Sequence, residues 1–239
     1  MATYDYDLSS GQSSVKVALG ERLCEGTLLR GMLVHSAGNY AAMLIEMMGM
    51  SASTFVTMMN GDARSLGLRQ THYVDFTGIS PGDVSTAQDQ SVVAVNLMTN
   101  EPIVRDIVAL ANVKLPVAGL VESYTPFEGQ YGVIGVKSGF TTPAGGCDAM
   151  AIRITLNNAV ITTYAVVLGV HGADAINRAG QMALVLAQSI RAELKAAPLS
   201  VSGPAVEWIG WPGYLTTTPA TATTSSTSTT SSTTTTTGP

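Results

Sequence analysis

Charge is scarce in this chain. Asp, Glu, Lys and Arg make up only 12% of its 239 residues, and the net charge is −5 with a pI near 5.1. No basic surplus exists for a polyanion, which argues against nucleic acid as a partner. Cysteine is limited to Cys24 and Cys147, too few for a disulfide framework. The pair reads either as one bridge or as two buried free thiols. The three histidines and two cysteines are widely spaced and form no metal-ligand cluster, so no cofactor is expected. No apolar run reaches the roughly 18 residues of a membrane-crossing helix. The opening MATYDYDLSSGQ lacks the basic and apolar parts of an export signal.

Apolar residues are plentiful, at 46%, enough for one domain with a real core. Residues 1–196 read as that domain and 197–215 as a short extension, with Trp208 and Trp211 marking local packing or a surface contact. Residues 216–239 are almost entirely Thr and Ser without charge. Such a tail cannot bury apolar surface and reads as a disordered spacer or a target for O-glycosylation.

Within the domain, Ser14 to Leu19 alternates like a short strand, with Val15, Val17 and Leu19 on one face. A helix runs through Thr27 to Val34. A second follows Tyr40, with Leu44, Met47 and Met48 at core spacing and Gly49 as its stop. Ser51 or Ser53 caps a third, whose Phe55, Met58, Met59, Ala63 and Leu66 share a face. Residues 71–85 carry glycine and proline breakers and predict an irregular loop. Ser85-Thr86-Ala87-Gln88 reads as a capping box for a helix to about Thr99. Pro102 suits the first turn of another. Residues 113–132 suggest no regular element. Strands are expected at Val133, at Asp148 to Leu156 and at Thr162 to Val170, with Asn157-Asn158 as a hairpin turn. Ala173 to Leu194 carries Ile176, Ala179, Met182, Ala183, Leu186 and Ile190 on one face of a long helix. The order predicts an α+β sandwich in which helices cover an antiparallel sheet.

The most informative stretch is Val133 to Cys147, VIGVKSGFTTPAGGC. An apolar, β-branched strand runs into Lys137-Ser138-Gly139, and a Gly-Gly-Cys turn leads on to the next strand. This resembles the third motif of the serine penicillin-recognising enzymes, whose set is S-x-x-K, S-x-N and K-T/S-G. Other stretches are similar to D-alanyl-D-alanine carboxypeptidases, in the family's order: residues 17–23, the helix at 28–34, Phe55 to Gly78, and Ser85-Thr86-Ala87 with Asp89. The resemblance spans roughly Ser14 to Leu194. It implies a β-lactamase/transpeptidase-like fold and attack by a serine on the bond between two terminal D-alanines of a peptidoglycan stem peptide. It also implies reaction with β-lactams in the intact protein, and a place outside the cytoplasmic membrane.

Carried over residue by residue, Lys137 supplies charge near the substrate carboxylate, and Ser138 and Gly139 bind substrate. Ser36 fits the serine of the second motif; a plain helix-capping serine is the structural alternative. The motif's asparagine should stand at position 38, which is Gly38. Asn39 is adjacent, but one helical residue is about a 100° rotation, so substrate orientation by Asn39 needs a local distortion. Ser13-Ser14-Val15-Lys16 formally reads S-x-x-K, yet it lies in an exposed, strand-like segment and too close to Ser36 for the family's pattern. The expectation is therefore a member lacking the first motif, the nucleophile helix and two N-terminal strands, inactive as written. The alternatives are a non-catalytic protein that binds wall peptide, or a β-lactamase, for which no carboxylate motif suited to deacylation is seen.

Overall fold

The computed structural model describes residues 12–156 and 159–196. Helix α1 (Glu25–His35) is followed at once by α2 (Gly38–Met47) and then by α3 (Ala52–Ser65). Ser51 caps α3 by accepting the Thr54 N–H, the usual solution for an orphan donor in a first turn. Helix α4 (Ala87–Asn100) starts one residue later than the capping-box reading. Thr86, not Ser85, accepts the Asp89 N–H. Ser85 Oγ is engaged instead with Thr71 Oγ1 at 2.8 Å and Gln90 Nε2 at 3.0 Å. Helix α5 (Pro102–Val108) carries Pro102 in its first turn, where a missing N–H costs nothing.

Strands β1 (Asn112–Leu115) and β2 (Gly119–Glu122) form an antiparallel hairpin in the stretch expected to be irregular. Four residues of alternation (Val113 and Leu115 buried, Asn112 and Lys114 exposed) are too few to stand out beside Pro116. Strands β3 (Val133–Thr141), β4 (Gly145–Leu156) and β5 (Ala159–Val170) make an antiparallel sheet in the order β3-β4-β5. Helix α6 (Ala175–Ala196) closes the unit. The turn at Asn157-Asn158 and the readings for residues 197–239 lie outside the described residues.

The predicted α+β architecture is what the chain adopts. One face of the sheet, with Met150, Ile152, Ile154, Ala165 and Val167, packs on α6. The helix comes close because Ala175, Ala179, Ala183 and Ala187, spaced by four, are all buried. Met182, expected in that stripe, is 42% exposed. The other side of the sheet, with Val136 and Ala151, meets Ala94 and Met98 of α4 and Val108 of α5. A third cluster joins α1, α2, α5 and the β1–β2 hairpin. Met47 and Met48 are exposed rather than in the core, because α2 buries its N-terminal half through Asn39 and Tyr40.

Residues 12–18 are not a strand. Val15 and Val17 are buried, but Leu19 is 87% exposed. The Val15 peptide groups pair with the Asn39 side chain instead of a neighbouring strand. The loop at 71–85 is irregular, as predicted, and held from within. The Asp75 carboxylate accepts the N–H groups of Thr77, Gly78, Ile79 and Ser80 and the Thr77 hydroxyl. Burial by itself would raise the Asp75 pKa, but bonds from Thr77, Ser80 and Gly78 outweigh it and hold the group below the usual carboxylate value. Both thiols are free, as the second cysteine reading has it, but they are not buried: Cys24 is exposed at the start of α1 and Cys147 is partly exposed.

Two substitutions test this packing. A methyl group at Gly31 would lie 2.4 Å from the Tyr40 ring, so Gly31→Ala is expected to cost about 1–3 kcal/mol in urea unfolding. Asp75→Asn should be less stable than the parent at neutral pH. A depressed carboxylate stabilises above its unfolded value near 3.8 and loses that contribution as pH falls further. The gap between the two proteins should therefore narrow below about pH 3.8 in acid unfolding.

Candidate active site

Helix α1 ends at Ser36, which takes a left-handed conformation (φ 55°, ψ 35°). Its own N–H and that of Ala37 turn back to the Gly31 carbonyl, the latter at 3.2 Å, as in other left-handed helix ends. Ser36 is not the N-cap of α2; Ala37 holds that place. The turn frees the Ser36 hydroxyl, which accepts a hydrogen bond from Lys137 Nζ, 101 residues away.

Lys137 lies on β3, partly buried. Its Nζ also donates to the Ser138 carbonyl at 2.7 Å. Gly135, two residues earlier, has φ +127°, and a Cβ there would meet Val108 at 2.8 Å. Its lack of a side chain lets α5 press against the strand just before the lysine. Ser138 is buried and its hydroxyl donates to the Tyr124 carbonyl at 2.6 Å. Gly139 follows in the open, with nothing near its Cα. Strand β3 is an edge of its sheet, so its outer backbone groups are unpaired by β-structure among the described residues.

Two aromatic residues wall this cluster, and sequence reasoning gave neither a role. His35 stacks on Tyr124 with ring centroids 4.7 Å apart and planes 26° apart. His35 Nδ1 meets the Glu122 carbonyl at 2.8 Å, and Nε2 lies 3.4 Å from the Tyr124 hydroxyl. His35 adjoins Ser36, and the Tyr124 carbonyl holds Ser138, so the pair fixes both serines. Tyr124 falls in a stretch without periodicity, and nothing in the sequence marks it.

Burial lowers the Lys137 pKa to about 8, against the pull of nearby Asp148. Asp148 stands directly opposite Ser138 in the β3–β4 register and is 1% exposed. Burial raises its carboxyl to about 7; Lys137 draws it down and Glu128 pushes it up. Glu128, 9% exposed in the loop before β3, is likewise raised to about 7 by burial. An acid at the head of the mostly apolar Asp148 to Leu156 run was the one available signal for Asp148.

Ser36, Lys137, Ser138 and Gly139 thus converge. Asn39 does not join them, and its assignment to substrate binding is corrected. It is fully buried; Oδ1 accepts the Val15 N–H at 3.1 Å, and Nδ2 donates to the Val15 carbonyl at 2.8 Å. The rotation of one helical residue away from position 38 points its amide at the core. Ser13 and Lys16 are not hydrogen-bonded to one another. Ser13 Oγ donates to the His35 carbonyl at 2.8 Å, while Lys16 is exposed. Among the described residues, no group of three or more His, Cys, Asp and Glu side chains is placed to hold a metal, and no single helix is long and apolar enough to cross a membrane.

Replacing Asn39 separates scaffold from site. Asn39→Ala leaves two buried peptide groups of Val15 unpaired, at about 1–3 kcal/mol each. A loss of about 2–5 kcal/mol is expected in denaturant unfolding, with the Lys137–Ser36 pairing kept. A change under about 0.5 kcal/mol would contradict the role of these bonds.

Comparison with known proteins gives a consistent result. The family model described as D-alanyl-D-alanine carboxypeptidase matches residues 2–172. The D-alanyl-D-alanine carboxypeptidase DacF of Bacillus subtilis is 29% identical over 104 residues, 43% of this chain and 27% of that protein. A D-alanyl-D-alanine endopeptidase of Escherichia coli is 25% identical over 150 residues, 60% of this chain and 47% of its own length. The chain therefore spans less than half of either relative. A mutant of a Streptomyces DD-transpeptidase superposes with TM-score 0.68 at 23% identity, covering 79% of this chain and 77% of its own. Penicillin-binding protein 5 from Haemophilus influenzae gives 0.68 at 19%, covering 79% and 54%. At these identities the structural likeness speaks for the fold.

Proposed function

The chain belongs to the D-alanyl-D-alanine carboxypeptidase family, and from that premise we propose that Lys137, Ser138 and Ser36 are the substrate-facing part of a serine-type DD-peptidase site. The substrate is a peptidoglycan stem peptide ending in D-Ala-D-Ala, met outside the cytoplasmic membrane, where that polymer lies. The observation that carries this reading is the bond from Lys137 Nζ to Ser36 Oγ, which unites the second and third motifs across the fold.

Each group has a task. The Lys137 ammonium attracts the terminal carboxylate of the peptide, and the Ser138 hydroxyl binds it. The bond from Lys137 to Ser36 places a hydroxyl where a proton can pass to the departing amine. The open edge of β3 at Gly139 offers backbone groups to an extended peptide, in the manner of an added strand. In the whole protein an activated serine attacks the peptide carbonyl, the terminal D-alanine leaves, and water releases the acyl group.

The site in these residues is proposed to bind the peptide without being acylated. Two observations support this: the Ser13 hydroxyl is engaged with the His35 carbonyl while Lys16 is exposed, and Gly38 provides no amide to orient substrate. Gly38 also favours the second reading, a penicillin-binding fold that serves only to hold wall peptide or a partner.

Titration calorimetry with a synthetic peptide ending in D-Ala-D-Ala should show binding without release of D-alanine. Lys137→Ala should weaken that binding at least about tenfold, about 1.4 kcal/mol. Absence of any binding removes the reading. Intact mass after incubation with excess benzylpenicillin should be unchanged. A gain of one penicillin would place a nucleophile within these residues and overturn the expectation of inactivity.

A further inference from the structure

Ser36 and Lys137 have a capability that the peptide chemistry above does not use. Ser36 is a partly exposed serine held in a left-handed conformation (φ 55°, ψ 35°) at the end of α1. Residues other than glycine seldom adopt that conformation, and the fold around them must hold them there. Its hydroxyl is hydrogen-bonded to Lys137 Nζ, which is steadied in turn by the Ser138 carbonyl at 2.7 Å. A serine hydroxyl joined to a lysine nitrogen is a complete nucleophile and base pair.

We propose that Ser36 and Lys137 form a Ser–Lys dyad that takes acyl groups from uncharged esters, with Ser36 Oγ as the nucleophile and Lys137 as its base. The dyad is independent of D-Ala-D-Ala binding, although the same two residues serve both.

Neutral Lys137 accepts the Ser36 Oγ proton as Oγ bonds to the ester carbonyl carbon. The bond from that carbon to the alcohol oxygen breaks, and the proton passes from Lys137 to the departing oxygen. Water then releases the acyl group as a carboxylic acid and restores the serine. The outer edge of β3, unpaired by β-structure among the described residues, carries backbone N–H groups of the kind an oxyanion needs.

The charge of the ligand decides between the two behaviours. A carboxylate docked on Lys137 holds it as an ammonium, because an opposite charge favours the charged form. An ammonium has no lone pair with which to take a proton. Peptides and penicillins bring a carboxylate and so silence the base; an uncharged ester does not. With the site empty, burial brings the Lys137 pKa down to about 8, so the base is available in mildly alkaline solution. Among the groups around it, Asp148 opposes that shift, but it stands opposite Ser138, while Ala149 stands opposite Lys137. Glu128 is buried in the loop before β3. His35 and Tyr124 engage one another and the Glu122 carbonyl. On α5, Arg105 donates to the Met98 carbonyl and lies 4.0 Å from Asp106. Glu122 and, on α6, Arg178 are exposed.

The test is labelling of the full chain by phenylmethanesulfonyl fluoride, an uncharged reagent that transfers its sulfonyl group to an activated serine with loss of fluoride. Intact mass and peptide mapping should show one sulfonyl group, on Ser36, and 4-nitrophenyl butyrate should be hydrolysed faster than by Ser36→Ala. The labelling rate should rise at least about tenfold between about pH 6 and pH 9 and then level off, as a titrating base requires and a hydroxide-driven side reaction does not. Lys137→Arg keeps the positive charge but cannot give up its proton; its labelling should be at least about a hundredfold slower. Label on Cys24, Cys147 or Tyr124 alone, or no label at all, overturns the dyad, as does Lys137→Arg labelled at the parent rate. If that variant does not fold, a labelling rate in the parent that ignores pH overturns it equally. Excess N-acetyl-D-alanyl-D-alanine should slow the labelling of Ser36. Labelling that this peptide leaves unchanged removes the D-Ala-D-Ala reading and keeps the dyad; peptide binding by calorimetry with no label on Ser36 does the reverse.

Discussion

The proposed site depends on one ammonium, partly buried where the end of α1 meets β3. Lys137 keeps its place through the Ser36 hydroxyl and the Ser138 carbonyl, and that arrangement ties the end of α1 to the middle of β3. Remove the left-handed turn at Ser36 and the hydroxyl no longer reaches the strand. Fill the space beside Gly135 and α5 moves off β3. The end of α1 and β3 thus meet at a polar contact, while α4, α5 and α6 meet the sheet through apolar side chains. A polar contact of this kind is directional, so it fixes relative placement as well as proximity. The apolar clusters on either side stabilise the unit, but they specify no single atom-to-atom distance.

The legible parts of the sequence were those with a period. The third-motif strand, the capped helices and the long C-terminal helix all announce themselves by spacing and end residues, and the chain forms them with shifts of only a few residues. The short β1–β2 hairpin was hidden, because four alternating residues beside Pro116 carry too little pattern. The segment at Val15 shows a different failure. Its alternation is real and two of its side chains are buried, yet its hydrogen-bond partner is a side chain, Asn39. No periodicity argument distinguishes a strand partner from an amide that imitates one. The surplus of methionine at helical spacing also misled, since Met47, Met48 and Met182 occupy faces that nothing covers among the described residues.

The proposed site divides along the same line. Lys137, Ser138 and Ser36 were legible because they fall in short motifs. His35 and Tyr124 were not, because they meet only across the fold. Asn39 is the instructive inversion: the residue type suits the motif, but its place on the helix turns it inward. Residue type proposes a role, and the rotation of the backbone decides it.

The register of β3 has one more consequence. The pairing with β4 slips between Val133 and Val136 and then runs regularly from Val136 to Thr141. A slip of that kind bends a strand and increases its twist. The straight part of the open edge is therefore only Lys137 to Thr141, about 16 Å at about 3.3 Å per residue. That leaves room for about five residues of an added extended segment, a little more than either four-residue strand of the β1–β2 hairpin.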